Sequence, residues 1–445
     1  MANFNDLERA LREWVNEAVA RLSDVPEIRI STDPPRWQRD SDGVFRKRER
    51  SARLWYLETE ALQELPSWWA VEQVLQGDDR LRAQLDRLVG TIQEGSQLSR
   101  EVLSRHVLPL PDEVSDLDGA FARRYGELDH FLAADETEYL VVWPLPGLSG
   151  SAFPITLEQD IEIDIMSDKE LTAVLNTEVL SLIFPQTSVL PPDQAQQACL
   201  RYRYRLPKII GNIDEKAHQQ LMPLEERIDG IRDWLEQVLA LLFTDPVAIP
   251  GRASFSAQWI PYGGGIAYQQ VPLSRAQRFR SMDLDQQARA ELVETWRQLR
   301  QPGLLQRQKA LALALRRLGY QAHRERIEDE IVDVMVAAEA LYLSDLGPEE
   351  LGFRLALRAS ALSDPQKLGM TRRNMFDLMK SAYVVRSRIV HGDTPRPKDL
   401  KVKGVEVPLA EFVQATEEVV RQGLREALNR VAGWPPDWDA MTLPK

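Results

Sequence analysis

The chain is poor in three things. It has one cysteine, Cys199, only five histidines, and fewer basic than acidic residues, 55 Lys and Arg against 68 Asp and Glu. A single cysteine excludes an internal disulfide and fits a reducing compartment, so a cytoplasmic location is expected. Cys199 lies in a strand-like Leu/Tyr/Arg run and reads as a small core residue rather than a nucleophile. No run reaches the roughly 18 apolar residues of a membrane span. The N-terminal Met-Ala-Asn-Phe-Asn-Asp-Leu-Glu-Arg has no apolar h-region. Neither a membrane partner nor a secretory signal is therefore expected. The net charge of −13 argues against a broad, sequence-independent grip on nucleic acid, so any polyanion site must be a local one.

What is present is ordinary for a globular protein: 445 residues, 44% hydrophobic and 28% charged, enough for two or three domains with cores. The patterning predicts an α+β fold, mainly α. Phe4, Leu7, Leu11, Val15, Val19 and Leu22 recur at three- and four-residue steps over 3–23. A Pro-containing, charge-rich stretch follows, and helical patterning resumes over 52–65 and 67–94. From about Thr137 the chain turns β-rich, with Tyr139–Trp143, Ile161–Ile165 and Leu200–Leu206 as strands. Ser167-Asp-Lys-Glu170 has the spacing of a capping box. Helical periodicity returns over 221–243 and holds from 288 to 431, with breaks near Pro302 and Gly392. The expected domains are a helical region of unknown role at 1–135, a mixed α/β region at 136–300 serving as sensor or regulator, and a helical domain at 301–445.

Several stretches carry chemistry-bearing residues with simpler explanations. Asp160, Glu162 and Asp164 alternate along one strand, which the exposed face of a strand explains without a metal. Arg201, Arg203 and Arg205 share one strand face, opposite Tyr202 and Tyr204, and read as structural. Tyr262-Gly-Gly-Gly-Ile-Ala-Tyr268 lacks the Lys-Ser/Thr of a phosphate loop and reads as a loop or hairpin. Trp55, Trp68 and Trp69 are expected in a core or interface.

One segment differs. Between Thr371 and Gly404 nine Lys and Arg stand against three Asp, a local +6 on a chain of −13. That contrast fits either a polyanion site or a solvated helix face and loop. It contains Ser381-Ala-Tyr-Val-Val-Arg-Ser-Arg-Ile-Val-His-Gly-Asp393, which places Arg386, Ser387 and His391 at the end of a predicted helix stopped by Gly392. Arg is a fixed charged fork for phosphate, and His titrates near neutral pH. Five positions apart they lie roughly 140° from each other around a helix. They converge only if the helix ends at His391, the arginine reaches across, or a second copy completes the pocket. His391 has no partners at ligand spacing, so no metal and no cofactor is expected.

Tyr383-Val-Val-Arg-Ser-Arg-Ile-Val-His-Gly392 resembles the Arg-(polar)-x-x-x-His signature of HEPN domains, specifically the Apea-like HEPN family. The approach is similar too: a basic helix-loop at 310–318, the acidic-then-aliphatic 327–341 helix, and Phe353-Arg-Leu-Ala-Leu-Arg-Ala-Ser-Ala. The resemblance covers about 300–432, with a weaker likeness at Phe153-Pro-Ile-Thr-Leu-Glu-Gln-Asp-Ile-Glu-Ile. It implies a C-terminal antiparallel helical bundle that dimerises, and a metal-independent endoribonuclease of the toxin or antiphage-defence kind. The motif's arginine maps to Arg386, its polar neighbour to Ser387 and its histidine to His391. The alternative is a non-catalytic helical module that binds nucleotide, RNA or a protein. RNA, whether tRNA or mRNA, would be cut by attack of its own 2′-OH. His391 would move the proton and Arg386 would hold the phosphate oxygens. Arg388 either contacts an adjacent phosphate or sits in an exposed ion pair, and Lys380 is counted with the substrate-binding cations. Glu339 and Asp333 either hold Arg386 or His391 in place or form ordinary ion pairs. A trigger ligand or partner at the acidic upstream domains would release the basic helix.

Overall fold

The computed structural model describes residues 4–23, 28–30, 36–39, 44–48, 50–52, 62–85, 100–108, 111–175, 189–190, 196–207, 215–244, 249, 251–256, 266–269, 282–301, 303–320, 324–345 and 350–442. Over these the architecture is α+β and mainly α, with small, mostly antiparallel sheets. Among the described residues no helix is long and apolar enough to cross a membrane. The chain forms two compact units. The first holds Met1–Pro144, Glu158–Ile228 and Pro250–Gln270, and the second Leu145–Leu157, Asp229–Ile249 and Val271–Lys445.

In the first unit the helix Asn5–Ser23 buries Leu7, Leu11, Trp14, Val15, Ala18 and Leu22. The Trp14 indole donates to the Leu62 carbonyl at 2.8 Å and meets the Trp68 ring at 4.8 Å. A buried indole needs such an acceptor. Trp69 departs from the expectation of a core tryptophan. Successive helical residues are about 100° apart, so the helix Pro66–Gly77 buries Trp68, Val71 and Leu75 and leaves Trp69 66% exposed. Trp55 and most of the helical pattern at 52–65 and 86–94 lie outside the described residues. The charged stretch after the first helix holds short strands, Ile28–Ile30, Arg36–Arg39, Phe45–Arg48 and Arg50–Ala52. Backbone pairing and a buried Phe45 hold them, although the residues show charge more than alternation.

Five strands of this unit pair side by side in the order 266–269, 251–256, 136–144, 198–207, 161–165. Leu200 stands opposite Trp143 on one side and Ile163 on the other, and all three are buried. Arg201 lies almost wholly buried, bonded to Glu170 at 2.6 and 2.7 Å and to Glu162 at 2.6 Å. Asp164 adds a 3.4 Å contact, and Asp160 pairs with Arg227 at 2.9 Å. The alternating carboxylates therefore neutralise arginines. Ser167 and Glu170 form the reciprocal capping box, with Ser167 N–H donating to Glu170 at 2.8 Å and Glu170 N–H to Ser167 Oγ at 3.3 Å. Cys199 is buried beside them, and burial pushes its thiol up.

In the second unit the helix Ile327–Leu343 is apolar on most of its surface and buries Ile331, Val334, Met335, Ala338 and Leu341. A helix apolar nearly all round must be covered on several sides. Lys309–Gly319, Leu351–Leu362, Arg372–Val390 and Leu409–Asn429 all pack against it. Its acidic first turn, Glu328, Asp329 and Glu330, suits the positive end of the helix dipole. A Cβ at Gly423 would collide with the Tyr342 hydroxyl, so glycine allows the close approach of Leu409–Asn429. Arg421 and Arg425 reach from that helix to the orphan carbonyls that end Glu215–Leu242. Arg421 Nε donates to Ala240 O at 2.7 Å, and Arg425 donates to Leu241 O at 2.7 Å and Leu242 O at 3.0 Å. Buried Arg358 forks onto Asp345 at 2.6 and 3.2 Å and rests on the Trp438 ring.

Candidate functional site

The helix Arg372–Val390 positions most of the residues singled out above. It begins at Thr371, whose hydroxyl accepts from Asn374 N–H at 3.1 Å. Met375, Leu378, Met379, Ala382 and Val385 form its buried stripe. It ends where expected. His391 is the C-terminal cap, Gly392 adopts φ +83°, and Asp393 N–H returns to Arg388 O at 2.8 Å while Gly392 N–H reaches Ile389 O at 3.0 Å. That is a Schellman closure, which glycine at this position permits without a Cβ penalty.

The closure sets the two motif residues differently. His391 is exposed at the helix tip, its own N–H donating to Ser387 O at 3.2 Å and Arg388 O at 3.1 Å. Arg386 is half-buried on the flank, with its terminal nitrogen 3.6 Å from Glu339 Oε2 and both side chains 28% exposed. That separation is an ion pair longer than a hydrogen bond. The Arg386 Nε is buried without a hydrogen-bond acceptor. Burial pushes the Glu339 carboxyl up, and the Arg386 charge opposes this in part. Ser387, half-buried, lies one position on from Arg386.

The remaining candidates divide. Arg388 lies 3.4 Å from Asp399 in the turn Pro397–Asp399, a half-buried ion pair that ties the loop after the motif back to the helix. Lys380 is exposed, with Nζ 5.9 Å from the centre of the Phe376 ring. Asp333 does not join Arg386 or His391. It is buried and gives its two oxygens to Arg317 at 2.9 Å and Arg324 at 2.5 Å. The reason is helical phase. Six residues separate Asp333 from Glu339, which turns them about 120° apart, so only Glu339 faces the motif helix.

Beyond the cap, Arg396, Lys398, Lys401 and Lys403 are all exposed. The last two sit on a hairpin, Lys401–Val402 against Val405–Glu406, whose tip has positive φ at both Lys403 and Gly404. Leu400 anchors this hairpin by its burial. The local excess of positive charge is thus a surface. The sequence reading missed Asp399 and the aromatic residues of the helix. The signal for the latter was Arg373, Phe376 and Lys380 at three- and four-residue steps, whereas nothing local marked Asp399 as the partner of Arg388. Among the described residues no three His, Cys, Asp or Glu side chains gather as a metal site would require. Comparison with protein-family models, with curated proteins and with solved structures finds no match.

Proposed function

We propose that the protein is a metal-independent endoribonuclease of the HEPN type, with the helices of 301–445 as its antiparallel bundle and a second copy completing the pocket. The observation that carries the reading is the end of the motif helix. There an exposed His391 caps the helix, and one turn earlier on its flank a half-buried Arg386 keeps an unpaired buried donor, within a basic segment of an acidic chain. The RNA 2′-oxygen attacks the adjacent phosphorus, the bond to the 5′-oxygen breaks, and a 2′,3′-cyclic phosphate and a 5′-hydroxyl result. His391 takes the 2′-OH proton or supplies one to the leaving oxygen. Arg386 holds the non-bridging oxygens, and Glu339 holds Arg386. Ser387 orients either group. The resemblance supports a toxin or antiphage-defence role, tRNA or mRNA as substrate, and control by the upstream regions 1–135 and 136–300.

The test is RNA cleavage by the full chain, with end-group analysis and added chelator. His391→Ala and Arg386→Ala should each abolish cyclic-phosphate ends, and chelator should leave them unchanged. Equal cutting by His391→Ala overturns the assignment. The Arg386–Glu339 pair favours a second reading, a non-catalytic module that binds nucleotide, RNA or a protein through a structural arginine. Under that reading both alanine variants keep the cellular phenotype of the wild type.

A further inference from the structure

On the flank of Arg372–Val390 that meets the helix Leu351–Leu362, half-buried Phe376, Tyr383 and Ser387 and exposed Lys380 follow one another at three- and four-residue steps toward His391. Phe353 of the helix Leu351–Leu362 completes it. Its ring lies edge-on to Phe376 at 5.5 Å, yet Phe353 is 49% exposed. Two cations flank the Phe376 ring, the Arg373 guanidinium at 5.8 Å and Lys380 Nζ at 5.9 Å. Arg373 pairs with Asp377 at 2.9 Å on the exposed surface, and Lys380 is exposed.

We propose that this flank is a shelf for unpaired RNA, seating a base on the exposed Phe353 ring, which half-buried Phe376 backs, and phosphates on Arg373 and Lys380. Every base has a π-face, so exposed aromatic rings with interleaved cations bind single strands with little regard to sequence. A duplex keeps its bases stacked inside and offers such rings nothing. Charge decides between RNA and a second copy of this chain. An isologous contact places one patch against itself, which would bring Arg373 and Lys380 of this +6 segment against the same cations. A polyanion instead finds complementary charge here. Fifteen residues of helix place Phe376 about 22 Å from His391 along the axis, so a strand held on the shelf must run several nucleotides to reach the helix tip.

The shelf rests on the RNA reading of the site only for where the strand is cut, and its test separates the two. Full-length His391→Ala protein is titrated against a labelled unpaired RNA and against the same strand in a duplex, by fluorescence anisotropy at one salt concentration. The unpaired strand should bind at least about tenfold tighter, and Phe353→Ala with Phe376→Ala should lose about tenfold or more. Phe376→Trp should retain binding, which guards against a folding defect in the alanine variant. Equal affinity for strand and duplex, or an unchanged double variant, overturns the proposal. So does a change of oligomeric state on sedimentation of the double variant, which would assign the face to a second copy. If wild-type protein cuts no RNA but the shelf variants still lose unpaired-strand binding, the nuclease reading falls and the shelf stands. If cutting depends on His391 but not on the two phenylalanines, the reverse holds.

Discussion

Two carboxylates on one helix, Asp333 and Glu339, give a direct check on which acidic residue supports the motif. In Asp333→Asn the buried carboxylate loses its charge while Arg317 and Arg324 remain. Two charge-assisted hydrogen bonds, at 2.9 and 2.5 Å, are weakened. Each is worth about 1.5–3 kcal/mol. Both guanidinia are somewhat more than a third exposed, 36% and 37%, and water recovers part of that sum. A loss of about 2–3 kcal/mol remains, equivalent to roughly 5–10 °C in melting temperature for a unit of this size. Thermal unfolding followed by circular dichroism reads it. Cleavage per folded molecule should be unchanged, because Asp333 faces away from Arg386. Glu339→Gln should behave in the opposite way. Its 3.6 Å pair contributes under about 1 kcal/mol to stability, but loosening Arg386 should lower the cleavage rate by about tenfold or more. Loss of cleavage in Asp333→Asn with an unchanged melting temperature, or wild-type cutting by Glu339→Gln, refutes the assignment.

Three further outcomes follow from other parts of the fold. His106 is fully buried in the first unit, its Nε2 donating to Arg124 O at 2.9 Å, and burial pulls its pKa down to about 4 from the ordinary 6.5. The unfolded chain binds this proton more tightly, so stability is fully present above pH 6.5 and falls as pH drops toward 4, by at most about 3 kcal/mol. Denaturant unfolding at pH 7 and pH 4.5 measures the slope, and His106→Gln should flatten it. Gly423→Ala should destabilise by about 1–3 kcal/mol through its clash with the Tyr342 hydroxyl. Adding Tyr342→Phe should restore most of the melting temperature; no recovery would place the strain elsewhere. Gly392→Ala forces a side chain onto φ +83° and should cost about 1–2 kcal/mol at the helix end. Displacing His391 in this way should slow RNA cleavage more than it lowers the melting temperature.

The secondary structure of the helical half was legible because its apolar spacing is strong. Ile331, Val334, Met335, Ala338 and Leu341 were read as one stripe and are buried as one. Local chemistry was equally readable: the Ser167–Glu170 capping box and the Gly392 stop depend on residues three or four positions apart. Trp69 is not legible as a surface residue from its pairing with Trp68, because neighbouring helical residues point about 100° apart and burying Trp68 turns Trp69 outward. The strands between Ile28 and Ala52 leave little mark on the sequence because backbone pairing, not hydrophobic alternation, makes most of them.

The sequence by itself determined where the motif helix begins and ends, and that its charge opposes that of the chain. Those are properties of spacing and composition, set within one or two turns. Only the tertiary structure decided which charge meets which. Asp333 went to Arg317 and Arg324, Glu339 to Arg386, and Asp399 to Arg388. It also brought Phe353 to the edge of Phe376 across 23 residues of chain. Such pairings follow from the rotation of each helix against its neighbours, which packing of the buried stripes sets and no local pattern encodes. Arg386, Ser387 and His391, with Glu339 and Asp333 as candidate supports, are thus proposed from the chain alone, while which acid stands beside the arginine and which rings meet along the helix comes from the fold.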